Sequence, residues 1–455
     1  MLNETNLYPF QHKIINTLME RGHEKYCVWV DMGLGKTICT LTVVARLLKA
    51  GRITGALVVA PKTVAENVWK QEAMAWEHTS GLTVSVISGN ASNRLAGARC
   101  DADIYVVSRD NFAWLSEQKL DGCKLDRVDM LVIDESTSFK HRNTMRWKAL
   151  CQKGKRKRKW LDNFARIVLL SGTPASESYE GLWAQVYIID QGERLFQSIT
   201  RFRQTYMIPD TIRGNVIYRK FKDGAERVID GKIKDICIAM EAKDYIDLPD
   251  KLDIIRYTGY EKDRLYDTMN KHGVIEIDNV HIMAVEPATR YGKLRQICSG
   301  CVYDELGEEH YVHSKKEDTL KDVLEELQSE NVLIFYQYDY ERTFLMLEHG
   351  AELLDTPDQQ ARWNAGEIKT ACAHPASLGY GNNIQFGGHV IIWYTLPLSY
   401  EQYIQSCGRL HRQGQDKAVK VIHLIAQNTI EEKIYKLLKE QKADLLQHLM
   451  LAMKE

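Results

Sequence analysis

Along the first part of the chain, one pattern of apolar and polar positions repeats. A short run of Val, Ile and Leu ends in a small or polar turn, and a longer stretch with helical spacing follows. YCVWV, ALVVAPKT, IYVVSRD, MLVIDES and RIVLLSGTP all carry it. Apolar runs without alternation suit strands buried on both faces, which predicts a doubly wound parallel sheet. In such sheets ligands gather beyond the carboxyl ends of the strands, where the Gly, Asp, Ser and Thr residues of these turns fall. The turns therefore read as parts of one site.

The texture changes near Gln191 and stays different past Lys271, with mixed helical periodicity, a charged Gly-bearing patch at FKDGAERVIDGK and the punctuating DLPDK. This reads as a helical insertion, from about residue 191, and the connection to a second lobe. The strand pattern returns from about Thr319, in NVLIFYQYD, IKTACAHPA and HVIIWYTLP. The closing TIEEKIYKLLKEQKADLLQHLMLAMKE has Thr429 as a cap and apolar residues at helical spacing, which predicts an amphipathic C-terminal helix. The expected fold class is α/β, with two parallel-sheet lobes in tandem. The first spans 1–240 and includes the insertion; the second spans 241–455.

Composition adds limits. At 455 residues and 44% apolar content, the chain exceeds what one core usually serves. Lys plus Arg (60) nearly balance Asp plus Glu (61), so a bound polyanion must meet a local basic surface rather than the net charge. The start, MLNETNLYPF, has neither the basic segment nor the apolar run of a secretion signal, and no stretch reaches the roughly 20 apolar residues of a membrane span. Ten scattered cysteines fit a reducing compartment better than a disulfide framework. A cytoplasmic protein is expected. Cys298 and Cys301 have CxxC spacing, but no second pair lies near enough in sequence to complete a zinc site, and two small apolar residues in a packed stretch is the simpler reading.

Candidate chemistry begins where YCVWV runs into DMGLGKT and then a helical stretch. Strand, Gly-rich loop and helix in that order form a phosphate cradle, because Gly33 and Gly35 let backbone amides close on the phosphates while the helix start presents its positive end. Lys36 is then placed to hold the β and γ phosphates of ATP, and Thr37 a magnesium ion. Val30 stands where the strict GxxxxGK[ST] pattern has its first Gly. LVIDES puts Asp134 and Glu135 at the end of another buried strand, where paired carboxylates are costly unless metal or substrate uses them. Asp134 is expected in the magnesium shell, and Glu135 as the group that orients and deprotonates water. GRLHRQGQ offers Arg409 and Arg412 three apart on an expected helical face of the second lobe, suited to an anionic partner. A catalytic set divided between lobes makes closure and opening a motor stroke.

At this point the chain resembles the Swi/Snf-like ATPases of helicase superfamily two over nearly its whole length. YPFQHKIINTL resembles the family's glutamine-bearing element, with Gln11 at the adenine-reading position. DMGLGKT, APKTVAENVWKQEAMAW, VVSRDN, VIDES and LLSGTPASESYEGLW look like the first-lobe motifs in order. KLRQICSG, NVLIFYQY, SLGYGNNIQ and QSCGRLHRQGQDKAVKVIHLIAQNTIEEKI look like the second-lobe set. The resemblance implies two RecA-like lobes, ATP and magnesium as cofactors, nucleotide contacts from Met32, Leu34, Gly381 and Gln405 beside those already named, and translocation along duplex DNA without unwinding. Three positions depart from the family pattern: Ser136 and Thr137 follow the carboxylates where Ala or Gly and then His are usual, Glu177 replaces an Asn, and LPLSY (396–400) replaces LPWNP. With no accessory module fitting this length, a compact phage or bacterial member is expected.

Phosphate contacts with nucleic acid are expected from other turns on the same sheet ends: Lys62, Thr63, Ser108 and Arg109 in the first lobe, Gln337 and Ser377 in the second. Such contacts give affinity without sequence preference. The basic run KGKRKRK (153–159) lies after a helix and before a strand, which places it at the opposite sheet end, as a solvated loop or an auxiliary contact to flanking DNA. Double-stranded DNA, and possibly proteins bound to it, are the expected partners. Two other readings stay open: a strand-separating or annealing helicase, and a binding adaptor whose ATPase has decayed, against which the intact Lys36, Asp134, Glu135, Arg409 and Arg412 argue.

Overall fold

The computed structural model describes the chain except for residues 21, 23, 153–158, 173–178, 214–215, 379–382 and 442–455. Two compact units divide it, Met1–Ile246 and Asp247–Gln441.

In the first unit, β1 (Lys25–Val30), β2 (Ala56–Ala60), β3 (Val84–Ile87), β4 (Ile104–Ser108), β5 (Met130–Ile133) and β6 (Arg166–Ser171) form a parallel sheet. The apolar runs of the sequence are these strands. Every residue of β2, β4, β5 and β6 is buried, as continuous runs without alternation require. Trp29, Leu57, Tyr105, Leu131 and Ile167 share one core with Phe112, Trp147 and Trp183.

The insertion contributes the helix Ile199–Tyr206, an antiparallel hairpin of β7 (Met207–Arg213) and β8 (Val216–Phe221), and the helix Ala225–Ile233. Phe202, Ile229 and Ile233 join the same core, so the insertion packs on the first sheet. The chain then returns as β9 (Cys237–Met240), parallel to β1. This edge strand goes beyond the helical reading of the segment; at four residues, mostly half-buried, CIAM carries little pattern. The order is β3-β4-β2-β5-β6-β1-β9. Because β1 lies beside β6 rather than β2, the turns after β1, β6 and β5 become neighbours at the carboxyl edge.

The second unit starts its sheet with β10 (Lys251–Glu261), well before Thr319, where the sequence pattern placed the return of strands. Among the described residues β10 pairs only with the last strand, and most of its positions are exposed or half-buried, so KLDIIRYTGYE lacks the apolar run of a central strand. Two hairpins follow, β11 (Val274–Ile277) with β12 (Val280–Met283), and β13 (Cys301–Tyr303) with β14 (Glu309–Tyr311). Asp278 and Asn279, both at positive φ, make the two-residue turn that suits the first hairpin. The sheet continues through β15 (Val332–Phe335), β16 (Glu352–Leu353), β17 (Thr370–Ala373), β18 (Val390–Trp393) and β19 (Val419–Gln427), all parallel in the order β10-β19-β18-β15-β17-β16.

The expected C-terminal helix is described over Ile430–Gln441, with the Thr429 hydroxyl accepting from the Glu431 amide at 3.2 Å; its remainder lies outside the described residues. Of the basic run only Lys159 is described, and its ammonium donates to Gln191 Oε1 at 2.8 Å. Cys298 and Cys301 are buried free thiols, both with pKa raised by burial. Among the described residues no helix is long and apolar enough to cross a membrane.

Candidate nucleotide and nucleic-acid sites

The loop after β1 turns through Gly33 and Gly35, at φ 85° and 77°, and the helix Lys36–Lys49 begins directly behind it. Both angles lie in the left-handed region that favours glycine. Lys36 Nζ donates to the carbonyls of Val30 at 2.7 Å and Asp31 at 3.3 Å, so the loop closes around its own ammonium. Gln11, buried on the helix Pro9–Met19, donates from Nε2 to Leu34 O at 3.3 Å and accepts from the Tyr8 amide at 2.9 Å. A Cβ on Gly35 would come 2.2 Å from that Nε2, so the carboxamide lies directly against the loop. Leu34 is buried, while Met32 and Thr37 are half-buried. On the other side Asp31 accepts from the Ala242 amide at 2.9 Å and donates its own amide to Met240, which ties the loop to the end of β9.

Asp134 and Glu135 follow β5. One Asp134 oxygen accepts from Trp69 Nε1 at 3.1 Å, the other from the Glu135 amide at 3.1 Å. Burial raises the Asp134 pKa, opposed by the charge of Lys36 and by the indole hydrogen bond. Glu135 sits at φ 50°, ψ 62°, a left-handed conformation that costs a residue with a Cβ and is kept only where surroundings hold it. The next residue supplies one hold: Ser136 Oγ donates to Gln185 Oε1 at 2.7 Å, inside the core. Ser136 and Thr137, where the chain departs from the family pattern, are both buried.

Sequence reasoning missed two members of this cluster. Gly172, after β6, is close enough to the loop that a Cβ there would lie 3.6 Å from Met32 Cγ and 3.7 Å from Lys36 Nζ. The SGT that ends the β6 run was its available signal. Trp69 gave no sign of its role beyond an aromatic at a buried helical position. Residues 173–178, Glu177 among them, lie outside the described residues. Thr37 and Asp134 offer a hydroxyl and a carboxylate, the oxygen donors magnesium takes, beside a loop that suits its phosphate ligands.

Lys62 and Thr63, after β2, are exposed. Ser108, paired with Ala60 across the neighbouring strand ends, is buried and its hydroxyl accepts from the Asn111 amide at 3.3 Å; it caps the helix Arg109–Ser116, and Arg109 is half-buried. In the second unit Gln337 and Ser377 follow the adjacent strands β15 and β17. Among the described residues Gln337 Nε2 is buried with no partner, and the exposed Ser377 donates to His374 O at 2.9 Å. Gln405 is buried on the helix Tyr400–Cys407, donating to Glu401 at 3.2 Å. Arg409 and Arg412 are not on a helical face: the helix ends at Cys407, and Gly408 and Gly414, the latter at φ 91°, bracket a run of turns before β19. Arg409 is buried, and burial lowers the Arg412 pKa. Gly381 lies outside the described residues.

The SNF2-related domain matches residues 10–301. Over 441 residues the chain is 31% identical to the putative protein p41 of Acyrthosiphon pisum secondary endosymbiont phage 1, covering 93% of this chain and 94% of that protein. It is 24% identical over 465 residues to the putative ATP-dependent helicase/translocase YwqA of Bacillus subtilis, covering 94% of this chain and 47% of YwqA. With the ISWI chromatin-remodeling complex ATPase ISW1 of Saccharomyces cerevisiae, identity is 23% over 469 residues, 94% of this chain and 39% of ISW1. The chain thus spans less than half of these two larger proteins. A Sulfolobus solfataricus SWI2/SNF2 ATPase core in complex with dsDNA is similar at 21% identity and a TM-score of 0.44, over 96% of this chain and 92% of that one. A domain matched over most of the chain, and a relative matched almost end to end, make this protein a member of the SNF2-related family of ATPases.

Proposed function

We propose that this chain is an ATP-driven translocase on double-stranded DNA, working in the cytoplasm of a bacterial or phage-infected cell. The observation that carries the reading is the convergence of Lys36, Asp134 and Gly172 at the ends of three neighbouring strands, behind a loop whose glycines adopt left-handed angles.

In this reading the amides around Gly33 and Gly35 and the ammonium of Lys36 hold the β and γ phosphates, exchanging the carbonyl contacts of Lys36 for phosphate oxygens. Met32 and Leu34 shape the loop, and Gln11, already against it, reads the base. Thr37 and Asp134 hold magnesium, which when bound neutralises phosphate charge. Glu135 orients the attacking water and takes its proton. Arg409 and Arg412 supply positive charge to the phosphoryl group, and Gln405 and Gly381 add contacts to the nucleotide.

Lys62, Thr63, Arg109, Gln337 and Ser377 contact phosphates of the duplex, and Ser108 holds the turn that presents Arg109. Contacts to the DNA backbone alone predict affinity that ignores sequence and falls steeply with salt. Proteins bound to the duplex are displaced as the chain advances.

The deciding experiment is phosphate release across duplex DNA, single-stranded DNA, forks and RNA, with Lys36→Ala as the silent control. Strong activation by blunt duplex, with displacement of a third strand and no unwinding, is the expected result. Preference for forks or single strands would replace translocation by strand separation, and turnover indifferent to every nucleic acid would sink the motor reading.

A further inference from the structure

The second unit holds a buried polar network that the proposed mechanism does not use. Its centre is Glu341, fully buried in the first turn of the helix Asp339–His349. One carboxylate oxygen accepts from the amides of Gln337 at 2.7 Å and Tyr338 at 3.2 Å. The other accepts from the hydroxyls of Thr395, at 2.7 Å, and Ser299. The ammonium of Lys316, also fully buried, reaches Thr395 Oγ1 at 3.5 Å and pairs with Glu431, whose second oxygen accepts from the Ala426 amide at 2.9 Å. Arg295 donates to Leu396 O at 2.5 Å.

Two features separate this from an ordinary helix cap. A cap needs one oxygen and stays near water; here both oxygens are engaged inside the unit, where an ionised carboxylate is costly unless several donors and a nearby cation compensate it. The donors also come from separate places. Gln337 and Tyr338 form the turn after β15, and Thr395 and Leu396 the turn after β18. The register Phe335↔Trp393 sets the ends of these adjacent strands side by side at the carboxyl edge. Glu341 thus clips two neighbouring turns together, one of which carries Gln337, whose Nε2 is buried with no partner among the described residues. Glutamine has nearly the same shape, but its amide would turn a donor toward donors.

We propose that Glu341 is a positioning residue, which holds the turns 337–338 and 395–396 as one rigid surface and through them sets how Gln337 meets a DNA phosphate. The inference rests on the reading of Gln337 as a nucleic-acid contact. The test uses the full chain and a blunt duplex, reading the DNA concentration that half-saturates ATP turnover. Glu341→Gln raises it about tenfold, the loss of roughly one charge-assisted hydrogen bond, while turnover without DNA and the KM for ATP stay within twofold. Gln337→Ala raises it too, and the double variant adds little to either single change, because both act through one turn. Where Glu341→Gln does not fold, Ser299→Ala removes a single hydroxyl from the same carboxylate and carries the comparison with a shift of about threefold.

A drop in melting temperature with unchanged half-saturation would make Glu341 a structural cap and overturn the proposal. So would effects of Glu341→Gln and Gln337→Ala that simply multiply, or a Gln337→Ala protein that responds to DNA like the wild type while Glu341→Gln does not. That last pattern leaves the translocase reading standing; a wild-type protein unmoved by any DNA removes both.

Discussion

Trp69 donates its indole N–H to Asp134 Oδ2 at 3.1 Å, with both residues buried. Trp69 begins the helix Trp69–Ala75, a few residues beyond Lys62 and Thr63, so the segment that leaves the proposed DNA-facing turn ends on the proposed metal carboxylate. Partners of metal ligands fix ligand orientation, and their loss typically costs ten- to a hundredfold in metal affinity or activity. Trp69→Phe keeps most of the ring volume and removes the donor. Half-saturation of ATP turnover by magnesium is expected to rise by about tenfold or more, with a parallel loss in calorimetric binding of the magnesium–nucleotide complex and a lower melting temperature, since a buried carboxylate loses a donor. Unaltered magnesium dependence would show that the indole does not orient the carboxylate.

The two loop glycines separate backbone strain from crowding. Among the described residues no atom lies within 4 Å of where a Cβ on Gly33 would sit, whereas at Gly35 that Cβ would meet Gln11 Nε2 at 2.2 Å. Gly33→Ala meets only the left-handed backbone penalty, about 1 to 2 kcal/mol. Gly35→Ala meets the same penalty and also displaces the Gln11 carboxamide from Leu34. The expected order in thermal unfolding is wild type, then Gly33→Ala, then Gly35→Ala, with fluorescent ATP-analogue binding weakened most in the last. Equal effects of the two would mean that Gln11 yields freely and does not constrain the loop.

These glycines were legible in the sequence because buried strands have no polar positions to disguise them, and the turns between such strands stand out by contrast. YCVWV with DMGLGKT, and MLVID with its carboxylates, are cases of that kind. β9 and β10 were not legible: among the described residues each pairs with a strand on one side only, and half-exposed positions erase the apolar run. Contacts distant along the chain were hidden as well. The hydrogen bond from Trp69 to Asp134 spans 65 positions, and the approach of Gly172 to Lys36 follows from the sheet order rather than from any local pattern. The turn holding Arg409 and Arg412 was misread as helix because three-residue spacing suits either, and Gly408 and Gly414 decide the matter.

Ser136 gives the departure from the family pattern a measurable consequence. Its hydroxyl and Gln185 lie inside the core, and Glu135 just before it is held in a left-handed conformation. Ser136→Ala removes the donor from a buried acceptor, at a cost of about 1 to 3 kcal/mol. It also loosens the turn that sets Glu135. The expected outcome is a lower melting temperature together with a fall in turnover at saturating ATP and unchanged KM, since the water-directing group loses its aim while the phosphate loop is untouched. A changed KM with normal turnover would place the effect of Ser136 on nucleotide binding instead.

His423 predicts how the second unit responds to acid. It is fully buried on β19, with Nδ1 3.2 Å from Ile254 O and Nε2 2.9 Å from the Tyr403 hydroxyl. A carbonyl only accepts, so Nδ1 carries the proton and Nε2 accepts from the tyrosine. Burial, with Lys439 and Lys251 adding to it and Asp253 opposing, lowers the pKa from 6.5 to about 3. The unfolded chain therefore takes up a proton near pH 6.5 that the folded unit refuses until about pH 3. Stability from this residue is intact above pH 6.5 and is lost as pH falls through that window, by about 1.4 kcal/mol per unit. Acidic groups also titrate there, so the contrast with a variant isolates the histidine. His423→Phe, which cannot take up the proton, is expected to be less stable than wild type at pH 7.5, through loss of both hydrogen bonds, and to lose stability more slowly on acidification. The gap between their unfolding midpoints in urea should narrow from pH 7.5 to pH 5. Parallel profiles across that range would mean that His423 takes up its proton in the folded protein over the same range as in the unfolded chain, and that Tyr403 and Ile254 do not hold it neutral.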